Sequence, residues 1–191
     1  MSVFEFELEP VRNDRGHGYR GQVGKFGDVD VFRDVRPLRH ESRRQAALHG
    51  LQFPDTLFSG GAGNIPSLDG GWLRVDGDIV DLNLKINGLR RGGRWLEMKH
   101  RQHIYEYMIM KKEAHLRRGE DVAIAMRRGS YVPNVGGTRI GRVNGDANAT
   151  DLAIAIIMET VDTSALSTLD ALLAAPVNFL FRRRQDGGSE W

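Results

Sequence analysis

The chain reads as an α+β domain dominated by β structure: a sandwich or barrel-like sheet, one C-terminal amphipathic helix, and long glycine-rich loops or arms. Three observations point there. Apolar and polar residues alternate with a period of two in many short runs, the signature of half-buried strands. A single run near the C-terminus has helical spacing together with a capping residue. Finally, 23 glycines in 191 residues fall between these runs and punctuate them.

Taken in order, "SVFEFELEPV" sets Phe4, Phe6 and Leu8 against Glu5, Glu7 and Glu9 and reads as a strand. "RNDRGHGYRG" reads as a turn, and "VGKFGDVDVFRDV" as the second strand of a hairpin with a long loop. "HESRRQAALHGL" (40–51) reads as a short helix ending near Gly50, and 52–71 as a long loop. "WLRVDG", "DIVDLNLKI" and "RWLEMKH" form a strand series, the last two separated by the turn "NGLRRGG". In 103–118 the alternation of Tyr105, Tyr107 and Ile109 favours a strand at the front. "KKEAHLRR" behind it is rich in helix formers and stops at Gly119.

"DVAIAMRR" reads as a strand, and "SYVPNVGGTRIGRVNGDANAT" as a hairpin-like excursion. "DLAIAIIMETV" is apolar on both faces and reads as a central strand. "TSALSTLDALLAA" reads as the helix, over 164–174: Thr163 or Ser164 caps it, Leu166, Leu169, Leu172 and Leu173 share a face, and Pro176 ends it. "VNFLF" then reads as a last strand. The expected organisation is one domain over 1–191, with loop or arm segments at about 10–25 and 52–71.

Composition narrows the function classes. Without cysteine, disulfides and thiolate metal sites are excluded. The net charge of +2 does not by itself indicate nucleic acid, although arginine, which dominates the basic residues, suits bidentate contacts to carboxylate or phosphate. "MSVFEFELEP" lacks the basic and then apolar order of a signal peptide, and the apolar run "LAIAII" is far shorter than a membrane span. The expectation is a protein of the virion or cytoplasm with no membrane partner.

Two constellations carry the functional expectations. Asp81 lies in an apolar strand, and Glu97 and Lys99 occupy alternate positions at the end of another, on one face. This pattern resembles that of the PD-(D/E)xK nucleases over residues 41–127. The resemblance implies that Asp81 and Glu97 hold Mg²⁺, a hard ion that prefers oxygen ligands, and that Lys99 orients water and offsets developing charge. It implies a helix at 103–118 and a strand at 121–127. No proline precedes the aspartate, and Asp78 competes for the role. The alternative is a solvent-facing Glu–Lys pair on an amphipathic strand, with no catalytic residue, cofactor or metal.

Among other motifs, His100-x-x-His103 lacks the acid and third ligand of a zinc helix, and "GGAGN" lacks the Lys-Ser/Thr of a phosphate loop. Arg182, Arg183 and Arg184 read as a solvated charge run.

The second constellation is the pairing of many short strands with arginine- and glycine-rich segments too poor in apolar residues to fold on their own core. "TSALSTLDALLAAPVNFLF" resembles the closing part of tail-tube and virion proteins of tailed bacteriophages. That resemblance implies a structural subunit of a multi-protein particle, homo-oligomeric and contacting neighbours through loops and sheet edges.

Overall fold

Alternation governs most of the chain. The computed structural model describes residues 3–13, 16–34, 44–61, 65–87, 93–132 and 136–166. Twelve strands appear in it: β1 (Val3–Asn13), β2 (Gly16–Gln22), β3 (Asp28–Asp34), β4 (Arg44–His49), β5 (Thr56–Gly60), β6 (Trp72–Val75), β7 (Asp78–Ile86), β8 (Arg94–His100), β9 (His103–Met110), β10 (Glu113–Arg118), β11 (Val122–Val132) and β12 (Gly136–Gly145). Each pairs antiparallel with its sequence neighbours, and β1 pairs with β12, with Phe6 opposite Gly141 and Leu8 opposite Arg139, to close a barrel. The β-rich, barrel-like architecture with a helix C-terminal to the sheet is therefore as expected.

The register sorts side chains to one interior. Phe6 and Leu8 of β1, Val29 and Val31 of β3, Leu73 and Val75 of β6, Leu96 and Met98 of β8, Tyr105 and Tyr107 of β9, and Ile124 and Met126 of β11 are all buried. The alternate positions face outward. Tight connections hold the register where the sequence allows them. Asp76 and Gly77 join β6 to β7 with φ of 53° and 85°, the paired positive values that a two-residue hairpin turn demands and that Asp-Gly supplies. Gly60 ends β5 where an added Cβ would meet the Cα of Gly71 at 2.6 Å.

Inside the barrel runs α1 (Ala149–Met158). Every residue from Asp151 to Met158 is buried. The helix touches β4 and β5 and also β10 and β11, which stand six strands away round the ring on the opposite wall. Geometry accounts for this. An eight-strand barrel is filled by its own side chains and a sixteen-strand barrel leaves a channel, so twelve strands leave room for a helix about 10 Å across. A helix satisfies its own backbone hydrogen bonds, which an apolar interior requires. Surrounded on all sides, it is hydrophobic on all sides rather than along one stripe.

The N-terminus of α1 is fixed by a reciprocal cap: Asp151 N–H donates to Asn148 Oδ1 at 3.0 Å, and Asn148 N–H donates to Asp151 Oδ2 at 2.8 Å. Asp151 is fully buried and is held by Arg118, whose Nε and Nη2 donate to its two oxygens at 2.9 and 3.1 Å. At the other end, the Thr160 hydroxyl donates to Ile157 O at 2.7 Å.

Several expectations are corrected. The segment "DLAIAIIMETV" is the central helix and not a central strand; a continuous apolar run carries no period to tell the two apart. In the segment read as a helix at 40–51, Arg44–His49 is strand β4, because pairing to β3 and β5 overrides the helix propensity of its alanines. "KKEAHLRR" is a turn followed by β10, with Ala114 and Leu116 pointing inward. The presumed turn "RNDRGHGYRG" contains β2, and the presumed loop 52–71 contains β5. Of the helix expected at 164–174, Ser164–Leu166 forms a 3₁₀ turn; its remainder and the strand at 177–181 lie outside the described residues. No helix among the described residues is long and apolar enough to cross a membrane.

Candidate functional site: the two ends of the barrel

The expected metal-site residues lie on the outer wall. Asp81 on β7 stands opposite Lys99 on β8, and Asn83 opposite Glu97. The Glu97 carboxylate is bracketed by two lysines, Lys85 Nζ at 3.4 Å and Lys99 Nζ at 3.7 Å. Residues 103–110 and 113–118 are strands, so the helix that the nuclease pattern implies after Lys99 is not formed. Asp78 is engaged elsewhere and accepts from Arg101 Nε at 2.8 Å. His100 and His103 face each other across the β8–β9 hairpin. His100 is buried with its Nε2 unpaired among the described residues and 3.9 Å from Asp78 Oδ2. Burial first, and then the charge of Arg101, lower its pKa. Among the described residues no three histidine or acidic side chains converge as a metal site. Most of the "GGAGN" loop and Arg182 to Arg184 lie outside the described residues.

The strand order brings other residues together that sequence reasoning missed. Because the barrel runs up and down, all turns fall at its two ends, and the ends differ in charge. The end where α1 begins carries exposed Asp28, Asp55, Asp76, Asp78, Glu120, Asp121 and Asp146. With buried Asp151 that makes eight carboxylates, against three cations in Lys25, Arg101 and Arg118, a balance of −5 with histidines neutral. The end where α1 stops carries Arg12, Arg33, Arg44, Arg94, Lys111, Lys112, Arg128 and Arg139, eight cations, against Asp69, Glu113, Glu159 and Asp162, a balance of +4 among these side chains. The overall charge of +2 conceals this polarity.

At the basic end a mouth opens beside the C-terminus of α1. Glu159, which follows the helix, accepts from Arg139 Nε at 2.6 Å, and both side chains are nearly buried. Arg139 also donates through Nη1 to the carbonyls of Gly137 and Thr138 at 3.2 Å, and its guanidinium lies 4.6 Å from the centre of the Tyr19 ring. Burial raises the pKa of Glu159 against the pull of Arg139 and Arg128. His17 has its pKa lowered by burial and by the charges of Arg12 and Arg33. One sequence signal pointed here: Arg33 continues the inward phase of Val29 and Val31, placing a charge where the pattern calls for an apolar residue.

The turn between β9 and β10 belongs to this end. Lys111 and Lys112 hold φ of 49° and 73°, the left-handed region where glycine or asparagine is cheaper. Two lysines sit there instead. No protein-family model, curated protein or solved structure matches this chain.

Proposed function

We propose that the protein is a structural subunit of a multi-protein assembly, one whose copies join end to end. The observation that supports this reading is the polarity of the barrel, with the acidic turns of one end matched in scale by the basic rim of the other. Opposite patches of this size steer association and fix orientation. A contact between two different ends of one molecule is heterologous, so it repeats and builds rings or rods. Each described strand has a partner on both sides in the closed order, so the contacts fall to turns and end loops rather than to free sheet edges. The finer reading, a tail or virion component of a tailed phage, is supported only by the resemblance in 163–181, most of which lies beyond the described residues.

Charge reversal tests the proposal. Glu120→Lys/Asp121→Lys alters the acidic end alone, and Lys111→Glu/Lys112→Glu the basic end alone. Each variant by itself should stay monomeric at low salt where the unmodified protein forms larger species. An equimolar mixture should associate where neither variant does alone, because each supplies the unmodified end that the other lacks. Unmodified protein that stays monomeric at low salt would overturn the proposal, as would variants that assemble as well as it does.

A further inference from the structure

Apart from any association of ends, we infer that the basic mouth is a binding site for the oxyanion head of a small organic acid, a phosphate or a carboxylate. A cavity of about 170 Å³ opens there, lined by Pro10, Val11, His17, Tyr19, Arg33 and Glu159 among others. Whole small-molecule sites span roughly 300–1,000 Å³, so this one has room for a head group and not for a full cofactor.

The charge in and around the cavity is unbalanced. Glu159 is the carboxylate that faces it, and Arg139 already holds Glu159 through Nε. Arg12, Arg33 and Arg128 have no ion-pair partner among the described residues. All three are electrostatically coupled to groups of the mouth: Arg12 and Arg33 to His17, Arg33 and Arg128 to Tyr19, and Arg128 to Glu159. Arg33 lines the cavity, and Arg12 and Arg128, both exposed, stand near enough for their charge to act on its groups; guanidiniums suit oxyanions better than lysines do. Pro10, Val11 and the Tyr19 ring supply an apolar side, which favours an anion carried on an organic body over a free ion.

Glu159 sets the sign of the test. Its carboxylate repels an entering anion, so removing its charge while keeping its shape should tighten binding. A purely structural role for the arginines would not produce that response. Two unit charges about 6 Å apart interact with an energy that corresponds to roughly 3-fold in a water-like medium and roughly 100-fold in a protein-like one, so a change of about 10-fold is expected at a half-open mouth.

The measurement is titration calorimetry with inorganic phosphate, phenyl phosphate and benzoate at constant ionic strength. It uses the Glu120→Lys/Asp121→Lys protein, whose basic end is unmodified and whose self-association is removed, so failure here is distinct from failure of the end-to-end reading. Saturable binding of phosphate and phenyl phosphate without benzoate assigns a phosphate head; the reverse assigns a carboxylate. Arg33→Gln and Arg128→Gln should each weaken the bound anion about 10-fold, and Glu159→Gln should strengthen it by a similar factor. No saturable binding of any probe overturns the inference, as does binding that neither arginine substitution changes or that Glu159→Gln weakens.

Discussion

If α1 is enclosed by the barrel, shortening side chains on its opposite faces should cost alike. Ile154 and Ile156 lie two residues apart, about 200° round the helix, and both are fully buried. In a surface helix one of two such positions would be exposed and tolerant. Truncating a buried isoleucine to alanine costs about 2–5 kcal/mol, depending on how far the surroundings collapse into the space. Collapse is restrained here, because hydrogen-bonded strands close the ring around the helix. Each of Ile154→Ala and Ile156→Ala should therefore fall near the upper half, about 4 kcal/mol. At about 2–4 °C per kcal/mol for a chain of this length, melting should drop by about 8–16 °C. Ile104→Ala is the control: Ile104 is 53% exposed on the outer wall, and its truncation should cost less than about 1 kcal/mol. Urea unfolding followed by circular dichroism gives all three values. A cost below about 1 kcal/mol for either helix variant, or one equal to that of Ile104→Ala, would refute the enclosed helix.

Other consequences follow from the polar groups. Arg118→Ala leaves the buried Asp151 carboxylate without its bidentate partner and should cost about 3–5 kcal/mol in urea unfolding; a loss under about 1 kcal/mol would show the pair to be solvated. Lys99→Ala removes a half-exposed lysine, one of two beside Glu97, and should change stability by less than about 1 kcal/mol. His100 has its pKa lowered in the fold, below an unfolded value of about 6.5, so the unfolded chain takes up its proton first. Its contribution to stability is full above the unfolded value and is lost as pH falls from there toward the folded value. His100→Gln should thus flatten the stability decline between about pH 7 and pH 5; a decline parallel to that of the unmodified protein would contradict the burial argument.

Many strands with one wet face were legible in the sequence, but not all: β2, β4 and β10 also expose one face and were read as turn or helix. "RWLEMKH" and the front of "HIYEYMI" alternate because the barrel wall separates interior from solvent, whereas in "DIVDLNLKI" Val80 is the one buried side chain. The helix was not legible, for the same reason in reverse: enclosed on every side, it shows no stripe, and its one local sign was the pair Asn148 and Asp151 in capping-box spacing. Arg44–His49 misled because "RQAALH" has helix-forming residues but earns its strand from its neighbours. The basic mouth was invisible to motif reading, since Arg12, Tyr19, Arg33, Arg128 and Arg139 come from five strands and converge only when the ring closes. Asp81, Glu97 and Lys99 did fall on adjacent strands, as their spacing suggested, but on the outer wall.

If opposite charge at the two ends makes the barrel stack, as proposed, mass in solution shows it most directly. Screening shortens electrostatic reach from about 10 Å at 0.1 M salt to about 3 Å at 1 M. Sedimentation equilibrium over a range of protein concentration should therefore give a weight-average mass above the 21.4 kDa of one chain at low salt, rising with concentration and returning to one chain at high salt. A mass of 21.4 kDa at every concentration and salt, or an oligomer indifferent to salt, would contradict the account.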